Sequence, residues 1–203
     1  MTVNPRVTES VRRKYNRNAL FYDSMDRMIR DEWRQRVIRQ ARGKALEIGV
    51  GTGQNLPFYD PAVTTELTGV DFSPGMLQRA RRKPCRVPVT LLEMDAQHLA
   101  FADATFDTVL ATCVFCTVPD PVLGLQEARR VCRPDGQIIL LEHVRIDRPI
   151  VGPLMDLLDP LSAALIGTHI NRRTAENARL AGLQVEWVEN VEGDLVKLIY
   201  ARP

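Results

Sequence analysis

Leu46-Glu47-Ile48-Gly49-Val50-Gly51-Thr52-Gly53 sets an apolar run, an acid and a glycine-rich turn in direct succession. The apolar part predicts a buried strand over Lys44–Val50. The glycines let the chain turn sharply and let a ligand approach the backbone closely. A bare G-x-G-x-G is shared by several nucleotide-binding folds. Two details narrow the choice. Glu47 stands where it would repel a pyrophosphate but would suit the ammonium of an amino-acid ligand. No Gly-Lys-Ser/Thr follows, so the loop is not a P-loop.

Beyond the loop, strand and helix patterns alternate. Thr65–Asp71, Val89–Met94, Phe106–Val114 and Gln137–His143 read as further apolar strands. Ser73-Pro74 and Asp120-Pro121 each pair a capping side chain with a proline suited to the first turn, and so open helices. The second of these runs to about Val131, and Pro134-Asp135-Gly136 reads as a turn. Pro57 follows the glycine loop closely, so a short helix is expected there. Residues 150–170, with Pro153, Pro160 and Gly167, read as broken helical turns. Arg173–Ala181 reads as a helix, and Leu183–Val188 with Leu195–Ala201 as a terminal hairpin. Continuous apolar strands alternating with helices imply an α/β fold with a parallel sheet covered on both faces. In such sheets ligands bind beyond the carboxyl ends of the strands.

That rule directs attention to strand ends. Asp71 ends the second strand, where an acid can accept from the 2′- and 3′-hydroxyls of a ribose. Asp95 ends the third and can accept from an adenine amine, while the Ala96 N–H donates to a ring nitrogen. Met76 either packs on an adenine face or belongs to the helix core.

The 203 residues suit one domain, and 45% hydrophobic content supports a globular core. Charge is uneven: residues 1–44 carry a net +7 and the remainder −5. Residues 7–41 read as helix in two pieces, so residues 1–43 form a basic helical arm ahead of a domain at 44–203. Such an arm either sits on an anionic membrane or is a solvated lid. No run is long and apolar enough to span a bilayer, and Met1–Ser10 has no apolar leader core. A cytoplasmic protein, peripherally attached to the inner face of the membrane, is therefore expected. Cys113 and Cys116 form a C-x-x-C at the end of an apolar strand without further zinc ligands nearby. They are expected to be buried or pocket-lining thiols, and no metal is expected.

Together, Tyr22-Asp23, Leu46–Gly53, Val70–Leu77, Asp95-Ala96, Phe101–Asp107 and Arg130–Gly136 resemble the class I S-adenosylmethionine methyltransferases. Within them, the chain resembles the ubiquinone/menaquinone methyltransferase-like group and the small bacterial phospholipid N-methyltransferases. The resemblance implies a Rossmann-like, seven-stranded, mostly parallel sheet with an antiparallel last strand. It implies S-adenosyl-L-methionine as cofactor, with Glu47, Gly49, Gly51 and Gly53 near its methionine part, Asp71 on the ribose and Asp95-Ala96 at the adenine. Tyr15 and Tyr22 look like cofactor lids, or else ordinary helix packing. Asn55, Phe72, Met76 and Thr112 complete the expected cofactor set.

A sulfonium methyl is already activated, so methyl transfer needs chiefly positioning and a dry site. His143, at the end of the fifth strand, is the candidate base or substrate contact, and Tyr22 is the other candidate catalytic residue. His169 and Arg172 are candidates for meeting a polar head group. The apolar Met155–Ile166 stretch and the basic arm point to an oily acceptor, first phosphatidylethanolamine, at an anionic membrane surface. C-methylation of a prenylated quinol, S-methylation of a small thiol and a non-catalytic cofactor-binding protein are the alternatives. An NAD-dependent oxidoreductase is disfavoured by Glu47 and by the lack of a second domain. No nucleic-acid partner is expected, and the oligomeric state is open.

Overall fold

The computed structural model describes residues 29–203. Seven strands form one sheet in the order β3-β2-β1-β4-β5-β7-β6. They are β1 Gly43–Ile48, β2 Thr64–Asp71, β3 Val89–Glu93, β4 Phe106–Thr112, β5 Cys132–His143, β6 Gln184–Glu192 and β7 Val196–Arg202. Strands β1 to β5 are mutually parallel, while β7 runs antiparallel to both β5 and β6. The fold is thus the expected Rossmann-like α/β sheet, with the terminal hairpin supplying the antiparallel edge.

Among the described residues the helices are α1 Asp31–Ile38, α2 Pro74–Ala80, α3 Pro121–Val131, α4 Val151–Ile166 and α5 Thr174–Leu180, with a 3₁₀ turn at Leu56–Phe58. The central strands divide their side chains between two cores by the two-residue period. Leu46, Ile48, Val109, Ile138 and Leu140 face one core, which Leu125 and Ala128 of α3 and Ala178 of α5 complete. Ala45, Leu110, Ile139 and Leu141 face the other, with Val37 and Ile38 of α1 and Leu77 of α2. Burial on both faces is why these strands read as continuous apolar runs rather than alternating ones.

Local signals placed the helix starts correctly. The Ser73 side chain accepts from the Met76 N–H at 3.3 Å and that of Asp120 from the Leu123 N–H at 3.0 Å. Three expectations are corrected. The Pro134-Asp135-Gly136 turn is a bulge inside β5, which pairs Phe106 with Cys132 and then Thr108 with Gln137. The hairpin strand β6 extends to Glu192, past the expected Val188. The stretch read as broken turns contains one 16-residue helix, α4. Pro153 falls in its first turn, where a missing N–H costs nothing. Pro160 lies on the exposed side, and Asp159 and Ser162 tie this part of the helix to residues 168–170. Gly167 closes α4 in the left-handed region at φ 78°, its N–H bonded to the Ala163 carbonyl. Of the long helix expected over 7–41, Asp31–Ile38 is helical, and the part before Ile29 lies outside the described residues.

Candidate functional site

The chain runs outward from β1 through β2 to β3, then returns to β4 on the other side of β1. The carboxyl ends of β1 and β4 therefore flank the switch point at which open α/β sheets hold ligands. A cavity of about 610 Å³ opens there, within the range of small-molecule sites.

Its inner end is built on the glycine loop. Gly49, Gly51 and Gly53 all take positive φ. A side chain at Gly49 would strike Val114 Cγ2 at 2.4 Å, so that position needs glycine for space as well as torsion. At Gly51 the space is open, with only the Gly49 carbonyl within 4 Å. Backbone exposed to the cavity in this way is what close approach of a ligand requires.

Asp71 lies beside this loop and is buried. Its Oδ2 accepts from the Gly51 N–H at 3.0 Å and its Oδ1 from the Ser73 N–H at 2.9 Å. Each carboxylate oxygen carries a second lone pair. Burial pushes the Asp71 pKa up to about 6, and the two backbone hydrogen bonds oppose the rise. Glu47 is fully enclosed, accepting from Asn55 Nδ2 at 2.7 Å and from the Tyr59 hydroxyl at 2.9 Å. Asn55 also donates to Thr112 Oγ1 at 3.2 Å and accepts from Arg34 Nη1 at 3.0 Å. Burial, then the charge on Glu47, drives the Tyr59 pKa far above its ordinary value, so its phenol stays a donor. Asp95 is shaped by Gln97, whose backbone N–H and Nε2 donate to Oδ1 at 2.9 and 3.0 Å. Ala96, Met76 and Phe72 join Asp95 on this part of the wall.

The outer end is apolar and is centred on the turn after β4. Cys113 sits at φ 54°, and the Val114 and Phe115 N–H groups converge on Glu142 Oε1 at 2.9 and 3.2 Å. Glu142 is completely buried, and its Oε2 has no hydrogen-bond partner among the described residues. Burial raises its pKa to about 7 against the pull of backbone donors from residues 114–116. The next residue, His143, lines the cavity. Its Nδ1 is buried without a partner among the described residues, and desolvation lowers the ring pKa, favouring neutral imidazole. The thiols of Cys113 and Cys116, not joined in a disulfide, line the cavity, as expected of them. Ile166, Thr168, Ile170 and Val196 close this end.

The cavity thus gathers Glu47, Gly49, Gly51, Asn55, Asp71, Phe72, Met76, Asp95, Ala96, Thr112 and His143 from the expected set. Gly53 supports the loop from behind, where a Cβ would meet Leu56 and Ala80. His169 and Arg172 are not among the lining residues. The His169 Nδ1 pairs with Asp159 Oδ2 at 2.8 Å, and Arg172 Nη2 donates to the Val118 carbonyl at 3.0 Å, bracing the wall from outside. Tyr15 and Tyr22 lie outside the described residues. Sequence reasoning missed Arg34, Tyr59 and Glu142. The signal for Glu142 was present, an acid inside the apolar run Ile138–His143. Arg34 and Tyr59 carry no local signal, because only tertiary packing brings them to Asn55 and Glu47.

Comparison with known proteins gives this geometry a context. Residues 46–140 match the family model described as a methyltransferase domain. Phosphatidylethanolamine N-methyltransferase from Cereibacter sphaeroides is 39% identical over 152 residues, covering 72% of each chain. Demethylmenaquinone methyltransferase from Staphylococcus aureus (strain JH9) is 34% identical over 161 residues, covering 74% of this chain and 67% of the relative. Among solved structures, a chain from the complex of the Haloferax volcanii Trm112 methyltransferase activator with a methyltransferase superposes with TM-score 0.76 at 18% identity, covering 95% of this chain and 96% of that one. An S-adenosylmethionine-dependent methyltransferase from Thermotoga maritima gives 0.67 at 22% identity, covering 94% and 99%.

Proposed function

The chain belongs to the class I S-adenosylmethionine-dependent methyltransferases, and on that premise we propose that it methylates the amine of phosphatidylethanolamine at a membrane surface. The observation that carries this reading is the similarity to a phosphatidylethanolamine N-methyltransferase. The apolar outer half of the cavity, with one imidazole at its wall, agrees with an acceptor that is oily except at its reacting end.

The residues at the inner end fit the cofactor. Asp71 would accept from the two ribose hydroxyls with its remaining lone pairs. Asp95 and the Ala96 N–H would take the adenine edge, with Met76 against its face. Arg34 also lines the cavity, and it brings a cation beside the Asn55–Glu47 pair. A carboxylate and a guanidinium bridged by Asn55 would match the ammonium and carboxylate of the methionine part. When bound, S-adenosylmethionine supplies an electrophilic methyl group on a sulfonium.

The protein's task is then to present a neutral amine in line and to exclude water. An ammonium must lose its proton before it can attack. His143, which lines the cavity and whose ring desolvation favours as neutral imidazole, can receive that proton or orient the amine by accepting a hydrogen bond. Tyr15 and Tyr22 remain proposed lids and Tyr22 a proposed catalytic residue. The basic N-terminal segment is a proposed membrane contact. C-methylation of a prenylated quinol is the second reading, favoured by the demethylmenaquinone methyltransferase similarity.

An acceptor panel with labelled cofactor tests this. It covers phosphatidylethanolamine, demethylquinols, small thiols and small amines, with products analysed by mass. Methylated phosphatidylethanolamine is expected. Label on another acceptor with none on phosphatidylethanolamine would overturn the assignment.

A further inference from the structure

Helix α4 is built inside out for a helix in water. Leu154, Leu157, Leu158, Leu161 and Leu165 recur at helical spacing along one side, and Ile150 extends the stripe one turn earlier. All six are exposed, Ile150 by 81%, Leu157 by 75% and Leu165 by 67%. The polar side chains turn the other way. Asp159 is 8% exposed, bonded to His169 Nδ1 and to the Ile170 N–H, both at 2.8 Å. Asp156 receives Arg145 Nη2 at 2.8 Å, and Ser162 donates to the Thr168 carbonyl at 2.8 Å. The helix contains no lysine or arginine. Of its 16 residues, Gly152, Met155 and Asp159 alone are buried.

A stripe of this kind about 24 Å long, at 1.5 Å per residue, is far more apolar surface than scattered exposed leucines. We propose that α4 lies flat in the surface of an anionic bilayer, its leucine stripe among the acyl chains. The proposal rests on the reading of a phospholipid acceptor and names the element that would bring the cavity to it. Two features favour lipid over another occupant. The helix ends at the cavity itself, since Ile166, Thr168 and Ile170 line it, so a lipid beside α4 need not leave the apolar phase to enter. The first 44 residues carry a net +7, and this basic stretch joins the fold at the same cavity, through Ile29 and Arg34. Apolar insertion beside basic charge is the combination that anionic membranes retain.

The test uses the full chain and vesicles of equal parts phosphatidylcholine and phosphatidylglycerol. L157E/L161E should weaken co-sedimentation about a hundredfold, roughly tenfold for each leucine withheld from lipid. Leu180→Glu, at an equally exposed apolar site on α5, should leave it unchanged. Cofactor affinity by calorimetry should survive in both variants, which establishes folding. Leu161→Trp should gain emission that brominated phospholipid quenches. Undiminished sedimentation of L157E/L161E, or added indole emission that brominated lipid leaves unquenched, would overturn the proposal. So would a wild-type dimer that the double variant abolishes while vesicle binding persists, because the stripe would then join two copies. A chain that binds vesicles through α4 but leaves phosphatidylethanolamine unmethylated, even dispersed in detergent, would retire the acceptor reading and keep the docking surface.

Discussion

The two ends of the cavity are built by different means. The inner end is a set of strand tips: Glu47 on β1, Asp71 on β2 and the glycine loop between them, each side chain fixed by buried hydrogen bonds. The outer end is assembled from a turn, a helix terminus and the hairpin, mostly by apolar contact. Recognition of a constant, polar ligand calls for directional bonds from rigid elements, whereas an oily acceptor is held by shape and exclusion of water. The contrast predicts that substitutions at the inner end act on cofactor affinity and those at the outer end act on turnover.

Asp71→Ala should give the largest effect. It removes both acceptors proposed for the ribose and leaves the Gly51 and Ser73 N–H groups without their partner. Two hydrogen bonds to a charged acceptor are worth about 3–6 kcal/mol, so calorimetry should find cofactor binding weaker by at least about a hundredfold. The acceptor KM should stay within a factor of about three.

Glu142 probes the floor of the outer end. Because its folded pKa is raised to about 7, the native state holds a proton that the unfolded chain releases near 4.5. Its contribution is therefore complete at low pH and is lost as pH rises from about 4.5 to about 7, by roughly 3 kcal/mol. Denaturant titrations across that interval should show the decline in the native protein and a shallower one in Glu142→Gln, where Asp71 acts in the same direction and His143, with its lowered pKa, in the opposite one. Equal slopes would mean that Glu142 is ionised throughout.

His143→Ala should lower kcat by about a hundredfold with cofactor affinity unchanged, the signature of a group that acts on the acceptor. A loss confined to cofactor affinity would erase the division between the two ends. The smallest effect is that of pH on cofactor binding. Ribose hydroxyls bound as proposed would favour the ionised Asp71, whose pKa in the free protein is raised by burial to about 6. Affinity should be flat above that value and fall up to about tenfold for each pH unit below it. A flat profile down to about pH 4, near the ordinary carboxylate range, would place the ribose elsewhere.

The same division governs how much could be read from the chain. The inner end was legible because its determinants are local: an apolar run, an acid, glycines, then a cap such as Ser73 two residues beyond Asp71. The sheet followed from strands that are apolar on both faces. Beyond Asn55, the surroundings of Glu47 were not legible, because Tyr59 reaches Glu47, and Arg34 reaches Asn55, only through tertiary packing. Helix α4 misled for a different reason. Its prolines signal breaks, yet one falls in the first turn and the other on the exposed side, and its outward leucines contradict the usual amphipathic pattern. His169 and Arg172 were assigned to the acceptor by type and position, but the structure spends them on Asp159 and the Val118 carbonyl.

The most direct measurement is a crystal structure with S-adenosylhomocysteine. Ribose hydroxyls are predicted on both oxygens of Asp71, the adenine edge at Asp95 and Ala96, the amino-acid end at Glu47 and Arg34, and sulfur facing His143 across the cavity. A nucleoside lodged among Ile166, Ile170 and Val196, with Asp71 still bonded to backbone alone, would contradict the assignment.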